Sequence, residues 1–501
     1  MSELHFPWIE IAILIPLIGA VIVSRITNPD SARKWCGVIS GASLITTLAE
    51  WGDFELLHAH AAEDRWHLMR FLFGRDFFLI DHLNAPLIPL AALLFSFTTF
   101  TTLRTKIRRF SFSLTLLSQA IVLATFSCKE PWAVIALLAL GTIPPGIEIY
   151  MRGKSVRVYA LHMGLFVGLM ILGSLLVDGS SDSLPRDRWT AMIPLLLAVF
   201  IRAGIVPFHC WLTDLFEKAT FGTALLFVTP LTGAYAAMRL ILPIAPSWVL
   251  RSIGLLSLVT AVYAAAMALV QKEGRRFFCY LFLSHSALVL VGMESVSSLG
   301  LTGALCVWLS VGLGLGGFGL TLRALESRIG RLSLDGYQGL YYHTPNLAMF
   351  FVLTGLASVG FPGTIGFVGT EMLVDGAVET YPYIGVAVVI AAALNGIAFV
   401  HAYFLLFTGK VYGSTVSLQI RRRERFAVMF LGLLILVGGL IPQPGIVSRF
   451  NAAEELLSER EKLLHEGTVI DNPDPFHLHE GGHSETKESS SHVEKKSEPG
   501  K

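Results

Sequence analysis

The sequence predicts an all-α membrane protein that crosses the bilayer about fourteen times, and three observations predict it. Apolar residues fill 53% of the 501 positions and charged residues only 15%, where a soluble domain carries roughly 25% charged residues. The apolar residues gather into runs near the ~20 residues that a ~30 Å hydrocarbon layer requires. Between those runs Lys and Arg collect on every second loop, as they do on the cytoplasmic side of membrane proteins.

Taken in order, the spans read as 7–26, 35–51, 80–103, 110–128, 131–151, 157–178, 189–206, 219–241, 248–270, 276–297, 299–322, 344–380, 384–408 and 426–447. The first, PWIEIAILIPLIGAVIVSRI, lacks a basic start and a small-residue cleavage site, so it is expected as a retained helix and not a signal peptide. Loops after odd-numbered spans hold Arg25, Arg33 and Lys34; Arg104, Lys106, Arg108 and Arg109; Arg152, Lys154 and Arg157; Lys218; Lys272, Arg275 and Arg276; Arg323, Arg328 and Arg331; and Lys410 with RRRER at 421–425. Loops after even-numbered spans hold little beyond Arg65, Arg70, Arg75, Lys129, Arg186 and Arg188. The alternation keeps its phase to the end, which predicts a multi-pass protein of the inner (plasma) membrane with both termini non-cytoplasmic.

Composition also excludes. A net charge of +1 gives no indication of nucleic acid. Cys36, Cys128, Cys210, Cys279 and Cys306 are scattered and odd in number, reading as small apolar residues and not as a disulfide framework or metal site. No phosphate loop, dinucleotide fingerprint or nucleophile elbow stands in the chain, so no cofactor is expected in it. Residues 52–76 form an outer loop with an amphipathic stretch. After 450 the sequence turns polar, and 451–501 is expected as a disordered tail whose histidines either bind a metal or are simply solvated.

Two spans interrupt themselves. The seventh runs into IRAGIVPFHCWLTDLFEKATFGTALLF, which places Arg202, Pro207, His209, Trp211 and Asp214 in an oily segment. The twelfth is too long for one crossing and contains SVGFPGTIGFVG, with Pro362 and Gly363 at its centre. Unwound backbone at membrane depth is tolerated only inside protein or beside water. Paired breaks in two halves point to an ion path in a transporter with internal repeats. Five spans separate the breaks, which gives two inverted five-helix repeats, 110–241 and 248–410. Residues 1–74 then form two helices and the outer loop, 75–109 a third helix, and 411–450 the last.

These residues carry a resemblance. RAGIVPFHCWLTDLFEKATFGTALLF resembles a segment of the antiporter-like subunits of respiratory complex I and of Mrp-type cation/proton antiporters, whose pattern is Lys, then Pro-x-His-x-Trp-Leu-x-Asp, then Thr-x-x-Ser-Ala-Leu-x-His. QKEGRRFFCYLFLSHSALVLVG is similar to the start of their tenth helix through Arg275, Arg276, Tyr280, Ser284 and His285, GLASVGFPGTIGFVGTEMLVDG to the broken twelfth, and IPQPGI to the subunit M type. The resemblance covers about residues 75 to 450. It implies a non-redox, proton-translocating membrane subunit of a complex I-like NADH:quinone oxidoreductase, packed beside other membrane subunits and moving protons or cations through buried Glu, Lys and His. The alternative is a degenerate scaffold or coupling subunit of another complex, such as an inorganic-carbon uptake system, a membrane-bound hydrogenase or an Mrp antiporter. With no long amphipathic helix in its sequence, the chain is not expected to be of the subunit L type.

The departures from the family pattern are specific. The fifth-helix Glu falls near Ala139 or Leu140, and Glu148, more than two turns later, reads as interfacial beside Arg152. The seventh-helix Lys is Arg202, which holds its proton permanently. The eighth-helix Lys or His falls near Phe227 or Gly233 and is missing; the eleventh helix has no titratable residue. In the twelfth, the family's Lys or Glu aligns with Thr370 and Glu371 follows it. The candidate proton path is therefore Arg202, His209, His285, Glu371, Asp375 and His401, with Pro207, Trp211, Asp214, Pro362 and Gly363 forming the broken-helix motif. His209 reads equally as a relay and as a structural imidazole, and His401 as an interfacial residue. Asp214 and Lys218 are expected as an ion pair at the cytoplasmic mouth, Arg275 and Arg276 as topology anchors. The expectation that joins these is a polar seam built on Arg202 and Glu371.

Overall fold

A computed structural model describes residues 2–103, 107–108, 110–179, 185–378, 381–409 and 421–465. The loop cations Arg104, Lys106, Arg109 and Lys410, and the histidines of the tail beyond 465, lie outside the described residues. Helices dominate. In chain order they are α1 (Trp8–Ser24), α2 (Pro29–Leu57), α3 (Leu87–Phe100), α4 (Phe112–Phe126), α5 (Pro131–Met151), α6 (Arg157–Gly179), α7 (Pro185–Ala203), α8 (Cys210–Lys218), α9 (Phe221–Ile241), α10 (Ser247–Leu269), α11 (Gly274–Val291), α12 (Ser298–Ile329), α13 (Pro345–Val359), α14 (Ile365–Val378), α15 (Pro382–Phe407), α16 (Arg422–Leu440) and α17 (Gln443–His465). Six of them, α5, α6, α9, α10, α12 and α15, are each long and apolar enough to cross a membrane.

Local sequence sets where these helices start. Asn28 accepts from the Asp30 N–H with Pro29 in the first turn, Glu130 accepts from Ala133 N–H ahead of Pro131, and Ser297 accepts from Gly300 N–H. Each satisfies a donor that a helix start leaves open. Inside the bundle one π-turn, Ala237–Ile241, closes α9, and another, Val311–Leu315, re-aims α12 without ending it. A small sheet of β1 (Ser2–Glu3), β2 (Ala61–Glu63) and β3 (Leu79–Asp81), ordered β1-β2-β3, ties the chain start to the outer loop.

Both interruptions are real breaks, and at the first of them released backbone groups find side-chain partners. Gly204 takes φ +73 after α7; Trp211 Nε1 donates to the Ile201 carbonyl at 2.7 Å, and Val206 N–H donates to Thr260 Oγ1 at 3.1 Å. Between α13 and α14, Gly360 (φ +79) and Gly363 (φ +87) turn the chain. These are the internal substitutes for water that a break at membrane depth requires.

One domain boundary moves. Residues 451–465, expected in the disordered tail, are the larger part of α17, which leaves α16 at 77°. The helix is ordered because its polar residues have buried work. Arg449 donates to the His82 and Leu83 carbonyls, Arg460 to those of Leu242 and Ala245, while Ala452, Ala453 and Leu456 are buried.

Candidate functional site

The interior of the bundle is built around the first break. α7 carries Arg202 into it, with only 7% of the residue exposed. Its guanidinium donates to Thr232 Oγ1 at 2.6 Å and to the Phe227 carbonyl at 3.4 Å. It also lies 4.3 Å from the Phe227 ring centre and 5.8 Å from that of Trp211. Among the described residues no carboxylate comes within ion-pair distance of it. A Cβ on Gly233 would meet the Arg202 side chain at 3.0 Å, so the bare glycine leaves the room that the arginine fills. A cavity of about 30 Å³ adjoins Arg202, lined also by Trp211, Leu231, Gly233, Phe282 and Ser286. That is large enough for water.

His285, on α11 beside Ser286, is buried, and its Nδ1–H donates to the Leu281 carbonyl at 2.8 Å. Its other ring nitrogen is left to accept. His209 is half-buried at the far side of the break, its ring 5.5 Å from Tyr263 and 6.0 Å from Tyr280. Its Nδ1 is buried without a hydrogen-bond partner among the described residues. Trp211 is buried and Pro207 exposed. The geometry therefore gathers Arg202 and Trp211 at one side of the break and His209 at the other, with His285 next to the residue that shares the Arg202 cavity. Asp214 and Lys218 approach to 2.6 Å, the Lys218 Nζ donating as well to Ser155 O.

Three candidates lie elsewhere. Glu371 and Asp375 on α14 and His401 on α15 are exposed on the outside of the bundle. The seam between Arg202 and Glu371 is therefore absent, and the reason is packing. α14 lies against the first half of α12 through glycine: a Cβ on Gly376 would stand 2.2 Å from the Gly300 nitrogen, and one on Gly303 2.2 Å from the Leu373 nitrogen. Such backbone-to-backbone contact fixes the rotation of the helix. Thr370 is then half-buried, and Glu371, one residue on, faces out.

Glu148 moves the opposite way. Read from the sequence as interfacial, it is 4% exposed, accepting from Thr220 N–H at 2.8 Å and from the Thr223 hydroxyl. The signal that could have found it is Thr220-x-x-Thr223 at the head of α9, two donors that want one acceptor. Thr220 also lines a cavity of about 260 Å³ with Arg152, Arg275, Arg323, Glu326 and Glu424. Arg275 is more than a topology anchor. It forks onto Glu326 (2.7 and 2.5 Å) and donates to the Phe216 and Ala219 carbonyls, tying α11 to α12 and α8.

Sequence reasoning also missed a buried pair at the opposite end. Arg239, on the π-turn of α9, meets Asp81 of β3 at 2.5 Å, with 4% and 1% of the side chains exposed. Arg239 also donates to Tyr235 Oη, and Asp81 accepts from Leu83 and Asn84 N–H. A cavity of about 640 Å³, lined by Lys129, Glu130, Trp132, Asp178 and Glu459, reaches Arg239. On α17, burial and the Asp81 charge push the Glu455 carboxyl up to about 7, against the pull of Arg239 and Lys129.

Comparison with known proteins places this geometry. Residues 154–395 match the family described as NADH:quinone oxidoreductase/Mrp antiporter, TM. The chain is 26% identical over 489 residues to NADH-quinone oxidoreductase subunit M of Pseudomonas aeruginosa, covering 87% of this chain and 94% of that one. It superposes on a chain of respiratory complex I from Thermus thermophilus with a TM-score of 0.78, at 22% identity over 90% of this chain and 99% of the other. A chain of the Mrp complex from a Dietzia species gives 0.79, at 16% identity over 92% and 99%.

Proposed function

Because the chain belongs to the antiporter-like membrane-subunit family shared by NADH:quinone oxidoreductases and Mrp antiporters, in its subunit M type, we propose that it is a proton-translocating subunit of a complex I-like assembly. The observation that carries this reading is the site at the first break: a cation buried beside a water-sized cavity where α7 stops inside the bundle. A charge at such depth is costly and marks an ion or proton path.

The path we propose enters from the cytoplasmic cavity and reaches Glu148 through Thr220. Thr223, which donates to Glu148, lines a second cavity of about 30 Å³ with Thr115, Ser118 and Phe227. Phe227 packs on Arg202 in turn. Water in these cavities carries the proton between side chains. Glu148 and His285 hold it in passing, and His209 relays it at the break. Arg202 stays charged and acts as a gate, lowering the proton affinity of groups around it. The exit is the outer cavity at Arg239 and Asp81. In this reading the chain lies in the inner (plasma) membrane with fourteen crossings, two inverted five-helix repeats and both termini outside.

A second reading, a coupling subunit with no flux of its own, is favoured by one feature: among the described residues Arg202 has no carboxylate partner and Glu371 is turned away. Reconstitution decides between them. The complex carrying this chain, placed in liposomes with a pH-sensitive dye and given its electron donor, is expected to translocate fewer protons per electron when Glu148→Gln is introduced. An unchanged ratio would leave the coupling role and overturn the conducting one.

A further inference from the structure

The outward face of α14 has no use in that path, yet acids interrupt an apolar exterior there. Along the helix, Phe367, Glu371 and Asp375 are exposed at i, i+4 and i+8, a single stripe. Neighbouring helices present Val386, Val389, Ile390 and Ile397 on α15, and Phe426, Met429 and Leu433 on α16. Those faces suit lipid tails. The stripe does not.

Depth makes the contrast sharper. With the α13–α14 break at mid-membrane, a rise of ~1.5 Å per residue sets Glu371 about 9 Å above it and Asp375 about 15 Å above it. The first is then within the hydrocarbon half-thickness and the second at its edge. Neither carboxylate is paired among the described residues. Nor can α14 roll to bury them, since the Gly376–Gly300 and Gly303–Leu373 contacts leave no room for a shift. Acids held outward at that depth need a cation brought to them.

We propose that the stripe Phe367–Glu371–Asp375 is the docking face for a transmembrane helix of a neighbouring subunit, which places one basic side chain between the two carboxylates. This rests on the membrane-subunit reading above. Carboxylates one helical turn apart lie about 5–6 Å from each other at Cβ, so a single guanidinium set between them can donate to both from different edges. Phe367, one turn further toward mid-membrane, supplies the apolar end of the contact. The partner is therefore a helix with Arg, or Lys in its place, in the outer half of the bilayer, and with an apolar residue one turn deeper.

A photo-crosslinking amino acid at Phe367 in the full chain, in its native membrane, tests this against the same probe at Val389. The expected result is an adduct at Phe367 with a different polypeptide, mapped to a transmembrane segment within a turn of an Arg or Lys. Glu371→Lys with Asp375→Lys should cut that adduct and the co-purified partner at least tenfold, and reversing the partner's basic residue to Glu should restore both. Adducts with phospholipid alone, adducts with a second copy of this chain, or a yield untouched by charge reversal would overturn the proposal. Release of the chain from membranes by alkaline carbonate would overturn the membrane reading itself.

Discussion

Replacing Arg202 with methionine separates a gate from a structural tie. A charge near the bilayer centre costs about 2.5–3.5 kcal/mol on insertion scales. Against it stand the hydrogen bond to Thr232 Oγ1 at 2.6 Å, worth about 1.5–3 kcal/mol for a charged donor. The Phe227 ring, 4.3 Å from the guanidinium, adds about 2 kcal/mol when desolvated. Cost and gain nearly cancel, and methionine fills most of the same volume. Arg202→Met should therefore change stability by no more than about 2 kcal/mol, read by SDS-induced unfolding in mixed micelles. Conduction should respond far more. For a proton-bearing group ~10 Å from the guanidinium, at an effective dielectric of about 20, the charge contributes about 1.7 kcal/mol, roughly fifteen- to twentyfold in rate. Arg202→Lys should restore part of the flux, with a loss at alkaline pH that arginine does not show, because only lysine can give up its proton. A destabilisation above about 4 kcal/mol, or unchanged flux in the methionine variant, would refute the reasoning.

Breaking the Asp81–Arg239 pair should cost far more than altering Arg202: Asp81→Ala strands a buried cation and is expected to lose about 3–5 kcal/mol in the same unfolding assay. A loss under about 1 kcal/mol would show that the adjoining cavity already hydrates the pair. Glu455 predicts a pH dependence. Its folded pKa, near 7, exceeds the ordinary 4.5, so the folded state binds the proton more tightly and stability falls as pH rises from about 4.5 through 7. Glu455→Gln should flatten that fall and leave the variant more stable than the parent at pH 8, measured by thermal unfolding across pH 5 to 8. Finally, Glu371→Gln should leave the unfolding of the isolated chain unchanged within about 0.5 kcal/mol, as for a surface site, whereas Glu148→Ala, which orphans a buried amide donor, should cost about 1–3 kcal/mol.

What the sequence made legible was the medium and the order of elements, since both follow from composition and span length. The two breaks were legible too, because Pro207 and the Gly-Phe-Pro-Gly run cannot continue a helix. The facing of individual side chains was not. Glu371 and Thr370 differ by one position, and only the glycine contacts of α14 with α12 determine which of them looks outward. Glu148 was misjudged for the same reason: proximity to Arg152 along the chain suggested an interface, while its two donors come from Thr220 and Thr223, more than seventy residues away. Residues 451–465 of α17 were read as tail because the sequence there turns polar and loses its periodicity. Arg449 and Arg460 donate to carbonyls at distant loop ends, which no local pattern announces.

That last helix carries a mechanical consequence. Through Arg449, Arg460 and the Lys129–Glu459 contact it grips Leu83, Leu242 and Ala245, all from the first half of the chain, while Glu454 takes a hydrogen bond from Ser298 at the head of α12 in the second. A strap fastened to both halves at one rim resists any tilting of one against the other. Whatever opens and closes this protein must then be small in scale: a rotating ring, a shifted guanidinium, a file of water that connects or parts, inside a frame that stays still.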